Sequence, residues 1–334
     1  MGETTIEWTA TVAPDGRVLP GYSWNPWLGC TKVSPACDHC YAESWAKRTG
    51  QAHLWNGERR RTSEANWRQP IKWNRETEKS GIRRKVFCAS LADVFDNQAP
   101  EEWRADMWAT ITITPNLDWL LLTKRPQNIA KMLPIMWGDG WPNVWLGTTA
   151  EDQKNLADRA WALSQIPAVV RFLSCEPLLE SLNFVATNRW GTKWNVLTGR
   201  IIQSDSMVAQ TGAFHWVIGG GESGPNARPM HPDWARSIRD QCAAADVPYF
   251  HKQNGEWAPG DAFGLVEDGP VTNRNGDVKN WMRRYVVCND RADRLDAHSF
   301  TDHATNLVYR VGKKRAGALL DGREWREMPD NPDA

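Results

Sequence analysis

Short apolar runs recur along the chain, at residues 86–90, 119–123, 144–148, 169–174, 216–219 and 247–251. Each is too brief for a helix and rich in branched or aromatic side chains, which predicts buried strands. Between them the hydrophobic period lengthens, predicting helices over residues 101–112, 127–133, 151–165 and 233–245. Pro232 leads the last of these, where its fixed φ suits a first turn. Strands alternating with helices at this spacing predict parallel pairing with right-handed crossovers, hence an α/β fold.

Polar residues gather where the apolar runs stop: Ser90-Leu91-Ala92-Asp93, Thr123-Lys124-Arg125, Thr148-Thr149-Ala150-Glu151, Ser174-Cys175-Glu176, Gly219-Gly220-Gly221-Glu222 and His251-Lys252-Gln253. Parallel strands bring their C-terminal ends to one edge, so these segments are expected to share a pocket. Two stretches break the alternation. Residues 186–213 read as an insertion or hairpin, and residues 254–334 as a C-terminal extension packed on a core of residues 1–253. The glycines at 219–221 do not follow the dinucleotide-binding spacing, and no helix pattern follows them.

Composition narrows the class. The chain has 334 residues, with 40 basic and 40 acidic side chains and a formal net charge of zero. No run is long and apolar enough to span a bilayer, and the first residues lack the order of a secretion signal. Seven cysteines in a chain of this kind point to a reducing, cytoplasmic setting rather than a disulfide scaffold. The 21 tryptophans are anomalous. Indoles fill cores, and they also line grooves where bases stack.

The densest chemical signal is Gly29-Cys30-Thr31-Lys32-Val33-Ser34-Pro35-Ala36-Cys37-Asp38-His39-Cys40-Tyr41-Ala42-Glu43, with cysteines spaced C-x6-C-x2-C. Three thiolates without an evident fourth suit a 4Fe–4S cluster with one open iron. Structural zinc, with His39 or another cysteine as fourth ligand, is the competing reading.

These residues, together with Ser23-Trp24-Asn25-Pro26, Leu122-Thr123-Lys124-Arg125-Pro126, Leu146-Gly147-Thr148-Thr149, Ser174-Cys175-Glu176-Pro177-Leu178, Gly220-Gly221-Glu222-Ser223-Gly224-Pro225 and Lys252-Gln253-Asn254-Gly255-Glu256-Trp257, resemble a phage and bacterial three-cysteine family of unassigned function, of DUF5131 type. That family is classed as radical-SAM-like. The resemblance implies a partial or complete parallel (β/α) barrel, S-adenosylmethionine (SAM) as ligand, and no settled substrate. The match to radical SAM enzymes at large is looser. Their first cysteine gap is shorter, and their Gly-Gly-Glu is replaced here by Leu91-Ala92-Asp93. Ser90 or Asp93 then stands in to hold the methionyl amine, while His39, before the last cysteine, takes the place of a residue near the adenine.

On this reading Cys30, Cys37 and Cys40 hold the cluster, and an electron from a reducing partner breaks a sulfonium bond of SAM to begin radical chemistry. Thr148, Thr149 and Glu151 are expected at the ribose, Glu176 and Glu222 at hydroxyls or amines, and Gly220 where backbone approaches the ligand. Cys175 is a candidate hydrogen-atom donor. Lys124, Arg125 and Lys252 are candidates for an anionic substrate group. Residues 47–85 carry twelve basic and four acidic side chains, with Trp55, Trp67 and Trp73 among them. Residues 271–315 carry ten basic and five acidic ones. Such segments suggest a nucleotide or nucleic acid as substrate. The alternative function is a non-catalytic Fe–S or zinc binding protein acting beside a partner enzyme.

Overall fold

Eight strands form the main sheet of the computed structural model, which describes residues 2–202, 210–259, 284–288 and 305–329. They are Gly2–Glu3 (β1), Tyr22–Trp24 (β2), Arg84–Cys88 (β3), Leu117–Thr123 (β4), Val144–Thr149 (β5), Val170–Cys175 (β6), Trp216–Gly220 (β7) and Tyr249–Gln253 (β8). Their order in space is their order in the chain. Every pair from β2 to β8 is parallel, and only β1 runs against its neighbour. Because each crossover moves one strand onward in the same direction, right-handedness sends the connecting helices to a single face.

Those helices include Gln69–Ser80 (α2), Glu101–Thr112 (α3), Gln153–Ser164 (α4) and Pro232–Ala244 (α5), preceded in the chain by the short Tyr41–Arg48 (α1). Asp152 caps α4 by accepting from the Asn155 amide, and His231 caps α5 by accepting from Asp233. The helix expected at 127–133 is shorter, a 3-10 turn at Pro126–Asn128 and one helical turn at Ile129–Met132. Leu133 is extended because Pro134 follows it.

The two faces have separate cores. Val86, Cys88, Leu121, Leu146, Leu173, Cys175, Val217 and Tyr249 pack toward the helices with Met107, Leu156, Leu163 and Ile238. The alternate residues Phe87, Leu120, Trp145, Phe172, Trp216, Ile218 and Phe250 form the second core around Trp8. The Trp8 ring lies 4.8 Å from Phe87 on β3 and 6.2 Å from Trp216 on β7. Four strand spacings of about 4.8 Å would hold those strands roughly 19 Å apart in a flat sheet. One indole reaches both, so the sheet is curled with Trp8 on its concave side.

No ladder joins β1 to β8 among the described residues, so the curled sheet is not closed by strand pairing. The outer edge of β8 is covered instead. Phe250 bridges to Arg326, the His251 amide donates to Trp325 O, and Glu327 donates to Tyr249 O. A covered edge resists pairing with another chain.

The insertion contains the antiparallel hairpin of Val185–Thr187 and Lys193–Asn195, and its buried Trp194 packs edge-on to Trp161 of α4 at 5.4 Å. In the C-terminal extension, Trp257–Pro259, Arg284–Cys288 and Thr305–Arg310 form a three-stranded antiparallel sheet. Trp257, Val308 and Leu320 join the helix-side core, so this extension shares the main core. Among the described residues, seven tryptophans, including Trp24, Trp119 and Trp216, are fully buried. Core filling therefore accounts for much of the indole excess. No helix among the described residues is long and apolar enough to cross a membrane.

Candidate functional site

With β2 to β8 all parallel, the polar strand ends do meet at one edge. The concave face changes character there. Alternation from Trp145 through Gly147 puts Thr149 on that face, and from Phe172 it puts Ser174 there. Gly147 leaves room for the Phe172 ring, which lies 2.2 Å from where a Cβ would stand. On β7, Trp216 and Ile218 lead to Gly220 on the same face. Bulky apolar rings thus give way to small and polar side chains within one strand-length.

The three-cysteine loop crosses this edge and is fastened at several points. Gly29 bridges to Ala92 in parallel, continuing past the end of β3. Tyr41 donates its hydroxyl to Ser90 O. Beyond β4, buried Arg125 donates to Thr31 O at 2.8 Å, to Asp93 Oδ2 at 3.0 Å and to Cys30 Sγ at 3.6 Å. Buried Arg59 pairs with Asp96 and also donates to Thr31 Oγ1 at 2.7 Å. Beyond β7, Arg228 donates to both oxygens of Glu222, at 2.6 and 2.9 Å, and to Pro35 O at 2.9 Å. Glu222 also meets His39 Nδ1 at 3.1 Å. The loop is therefore clasped at two distant strand ends by buried or half-buried ion pairs.

The expected residues separate into those at this edge and those that the fold uses elsewhere. Cys175, expected to face the pocket, is a correction. It lies on the helix side of β6, fully buried, and burial together with the nearby Glu151 charge pushes its thiol far above the usual range. Thr148 also faces the helices and donates to Thr123 O. Glu151 is fully buried and paired with Arg159 at 2.7 Å, which leaves its Oε1 without a partner. Neither is placed to meet a ribose. Asp93 is saturated: Phe95 N and Thr123 Oγ1 occupy Oδ1, and Lys124 N and Arg125 occupy Oδ2. It holds the loop and has no oxygen left for an amine.

Ser90 is bonded to Ser23 and Asn25 side chains at 3.1 and 3.0 Å. Arg125, expected at an anionic substrate group, is buried with its guanidinium engaged by Thr31 O, Asp93 and Cys30 Sγ, again a correction. Lys124 stays at the strand end, half-buried. Thr149 is 1% exposed and its hydroxyl has no partner. Glu176 and Lys252 form an ion pair at 2.7 and 2.8 Å, and Gln253 donates to Glu176 at 3.1 Å.

The expected nucleic-acid surface at residues 47–85 is not a stacking groove, because Trp55, Trp67 and Trp73 are buried. Trp73 stacks on Tyr22 at 4.3 Å, and Arg61 covers Trp67 at 3.8 Å. Arg59 is turned inward to Asp96. The second basic segment lies largely outside the described residues.

Sequence reasoning missed Arg228, Tyr41, Arg59 and Asp96 as parts of the site. Arg59 lies in the basic segment 47–85, and its partner Asp96 is 37 residues further along the chain.

Cys30 and Cys40 pack against a small apolar cluster of Leu28, Ala42, Ala46, Leu54 and Trp55, while Cys37 closes the 3-10 turn at Pro35–Cys37. Burial, then the Asp93 charge, pushes the Cys30 thiol up to about 11, against the lowering effect of Arg125. Among the described residues, no three His, Cys, Asp or Glu side chains converge on one metal-sized point. A single zinc needs that convergence. A 4Fe–4S cube spreads the three sulfurs over three irons, yet they still have to surround one centre. His39 meets Glu222 through Nδ1, and its Nε2 is not engaged by that contact. Three soft donors share one loop over an apolar floor, with the Arg125 guanidinium at the Cys30 sulfur.

The family described as protein of unknown function (DUF5131) matches residues 3–329, and the chain belongs to it. No curated protein and no solved structure matches the chain.

Proposed function

We propose that this DUF5131 member is a radical SAM-type enzyme, with Cys30, Cys37 and Cys40 holding a 4Fe–4S cluster. The observation carrying this reading is the clasped cysteine loop lying over the polar end of a curled parallel sheet. When bound, the cluster would supply reductive cleavage of SAM, using an electron from a low-potential donor. The chain's own work is positional. Arg59 and Arg125 fix Thr31 and keep Cys30 in place, Arg228 and Glu222 fix the turn carrying Cys37 and His39, and the rings around Trp8 fill the concave face of the sheet. Charge-assisted bonds of this kind hold ligands within the narrow geometry that such chemistry needs.

The test is anaerobic reconstitution of the full chain with iron and sulfide, followed by reduction in the presence of SAM. The reading expects four irons per chain, loss of iron when Cys30, Cys37 and Cys40 are replaced by alanine, and release of 5′-deoxyadenosine. One zinc and no iron after anaerobic purification would sink it. The second reading, an Fe–S protein without catalysis, is favoured by one observation: Asp93, in the place of the usual amine-holding motif, is already saturated. A stable cluster with no SAM cleavage would select that reading.

A further inference from the structure

The ends of β4, β5 and β6 bring three polar side chains into one row. Leu122 pairs with Gly147 and Gly147 with Phe172, which sets the three strands level with one another. Two residues further along each strand, alternation puts Lys124, Thr149 and Ser174 side by side on the concave face. Thr149 and Ser174 are themselves partners in the ladder. Adjacent strands lie about 4.8 Å apart, so Thr149 stands midway between the other two. The row beneath them is apolar, with the Phe172 ring lying over Gly147.

These three side chains share a second property. Among the described residues, Lys124 Nζ has no ion pair or hydrogen bond, Ser174 Oγ has no hydrogen bond, and Thr149 Oγ1 is buried without one. The main chain here is nevertheless fixed, because Asp93 accepts from the Lys124 amide at 3.2 Å. The other basic side chains placed at this edge are each paired with a carboxylate, which leaves the charge of Lys124 over. Ser174 and Thr149 are 5% and 1% exposed. Polar groups so deeply buried are nearly always bonded, and two adjacent exceptions beside an unpaired cation are unused binding capacity.

We propose that Lys124, Thr149 and Ser174 form a receptor for a phosphoryl group of the substrate. The proposal deepens the enzyme reading by naming a substrate class, and rests on it only for calling the bound molecule a substrate. SAM carries no phosphate, so this row and the cluster take different molecules. The surplus charge calls for an anion. Three separate donors match the three terminal oxygens of a phosphate monoester, whereas the two oxygens of a carboxylate leave one donor idle. A group held by Lys124 and Ser174 stands over Thr149, whose Oγ1 reaches it by one χ1 rotation. The apolar row below strengthens the attraction, since charge-assisted bonds gain as the local dielectric falls.

Calorimetric titration of the full chain with inorganic phosphate, and with acetate as the carboxylate probe, tests this at constant ionic strength. Phosphate should bind at least tenfold more tightly than acetate. Lys124→Met should weaken phosphate binding by roughly tenfold or more, and Thr149→Val and Ser174→Ala each by roughly threefold or more. Lys79→Met, which removes an exposed charge at the end of α2, should leave it unchanged. Circular dichroism shows whether each variant is folded. A second measurement separates binding from structure. Thr149→Val exchanges an unbonded hydroxyl for a methyl, so without phosphate its urea midpoint should not fall. The proposal is overturned by absence of phosphate binding, by binding no tighter than that of acetate, by binding that survives in all three folded variants, or by a lowered midpoint in Thr149→Val. Neither measurement involves iron or SAM, so failure here is distinct from failure of the cluster.

Discussion

Asp93 accepts from four donors through two oxygens, and one of them is the only cation in direct contact with a cysteine sulfur among the described residues. Asp93→Ala strips Arg125 of its partner and leaves a buried guanidinium uncompensated. The expected cost is about 3–5 kcal/mol, read as a lower urea midpoint at unchanged slope. Gly147→Ala is a contrasting case. It adds a methyl against the Phe172 ring, and overpacking of this kind costs about 1–3 kcal/mol. An equal midpoint for wild type and Gly147→Ala would show that the ring yields freely. At this scale the sequence pointed to the right positions and often to the wrong roles. Asp93, Arg125 and Glu222 do stand at the edge, because strand ends are visible as apolar runs stop. Whether a carboxylate is free or saturated depends on donors brought in by folding, as with Thr123 and Arg125 around Asp93, and no spacing rule shows that.

The cysteine loop is the element on which the proposed chemistry depends. Its C-x6-C-x2-C spacing was legible because the donors are neighbours in the chain. Its fastenings were not, because Arg125 reaches Cys30 across 95 residues and Glu222 reaches His39 across 183. Two clasps beyond different strands of the same edge, β4 and β7, predict separable effects. Arg228→Gln should raise amide hydrogen exchange in residues 35–40 by tenfold or so while leaving β3 to β6 protected, and Arg125→Gln should act on residues 30–31. Exchange that rises uniformly over the sheet would instead mean global destabilisation. The clasp at Glu222 also carries a pH dependence. Burial raises its carboxyl, but the bonds from Arg228 and His39 outweigh that and leave it below its usual 4.5. A lowered carboxyl stabilises the fold above its unfolded value and loses that contribution as pH falls through the lower, folded value. The loop should therefore stay clasped at neutral pH and loosen only in acid below about 4.5, the range to follow by exchange.

For the whole molecule, alternation of strand and helix foretold a parallel sheet, and the chain order of the strands made it singly wound. The curl was hidden, because it depends on Trp8 reaching Phe87, Phe172 and Trp216 from a segment with no strand or helix pattern. Acid stability is a second property that only the folded molecule defines. His251 is fully buried, with Nδ1 against the Tyr249 hydroxyl at 3.1 Å and Nε2 against Asn254 at 2.9 Å. Burial pulls its imidazole from 6.5 down to about 4, and burial lowers His215 and His231 as well. Between those two values the unfolded chain takes up a proton at His251 that the folded chain refuses. The contribution is therefore complete above the unfolded value and drains away as pH falls toward the folded one. By pH 5 His251 alone should have cost about 2 kcal/mol relative to neutral pH. His251→Gln removes that titration while keeping a hydrogen-bonding side chain, so its stability should fall less steeply between pH 7 and pH 5 than that of wild type. Denaturant midpoints at the two pH values decide it. Parallel slopes would mean that this imidazole is protonated in the native state, with water reaching the helix side of β8.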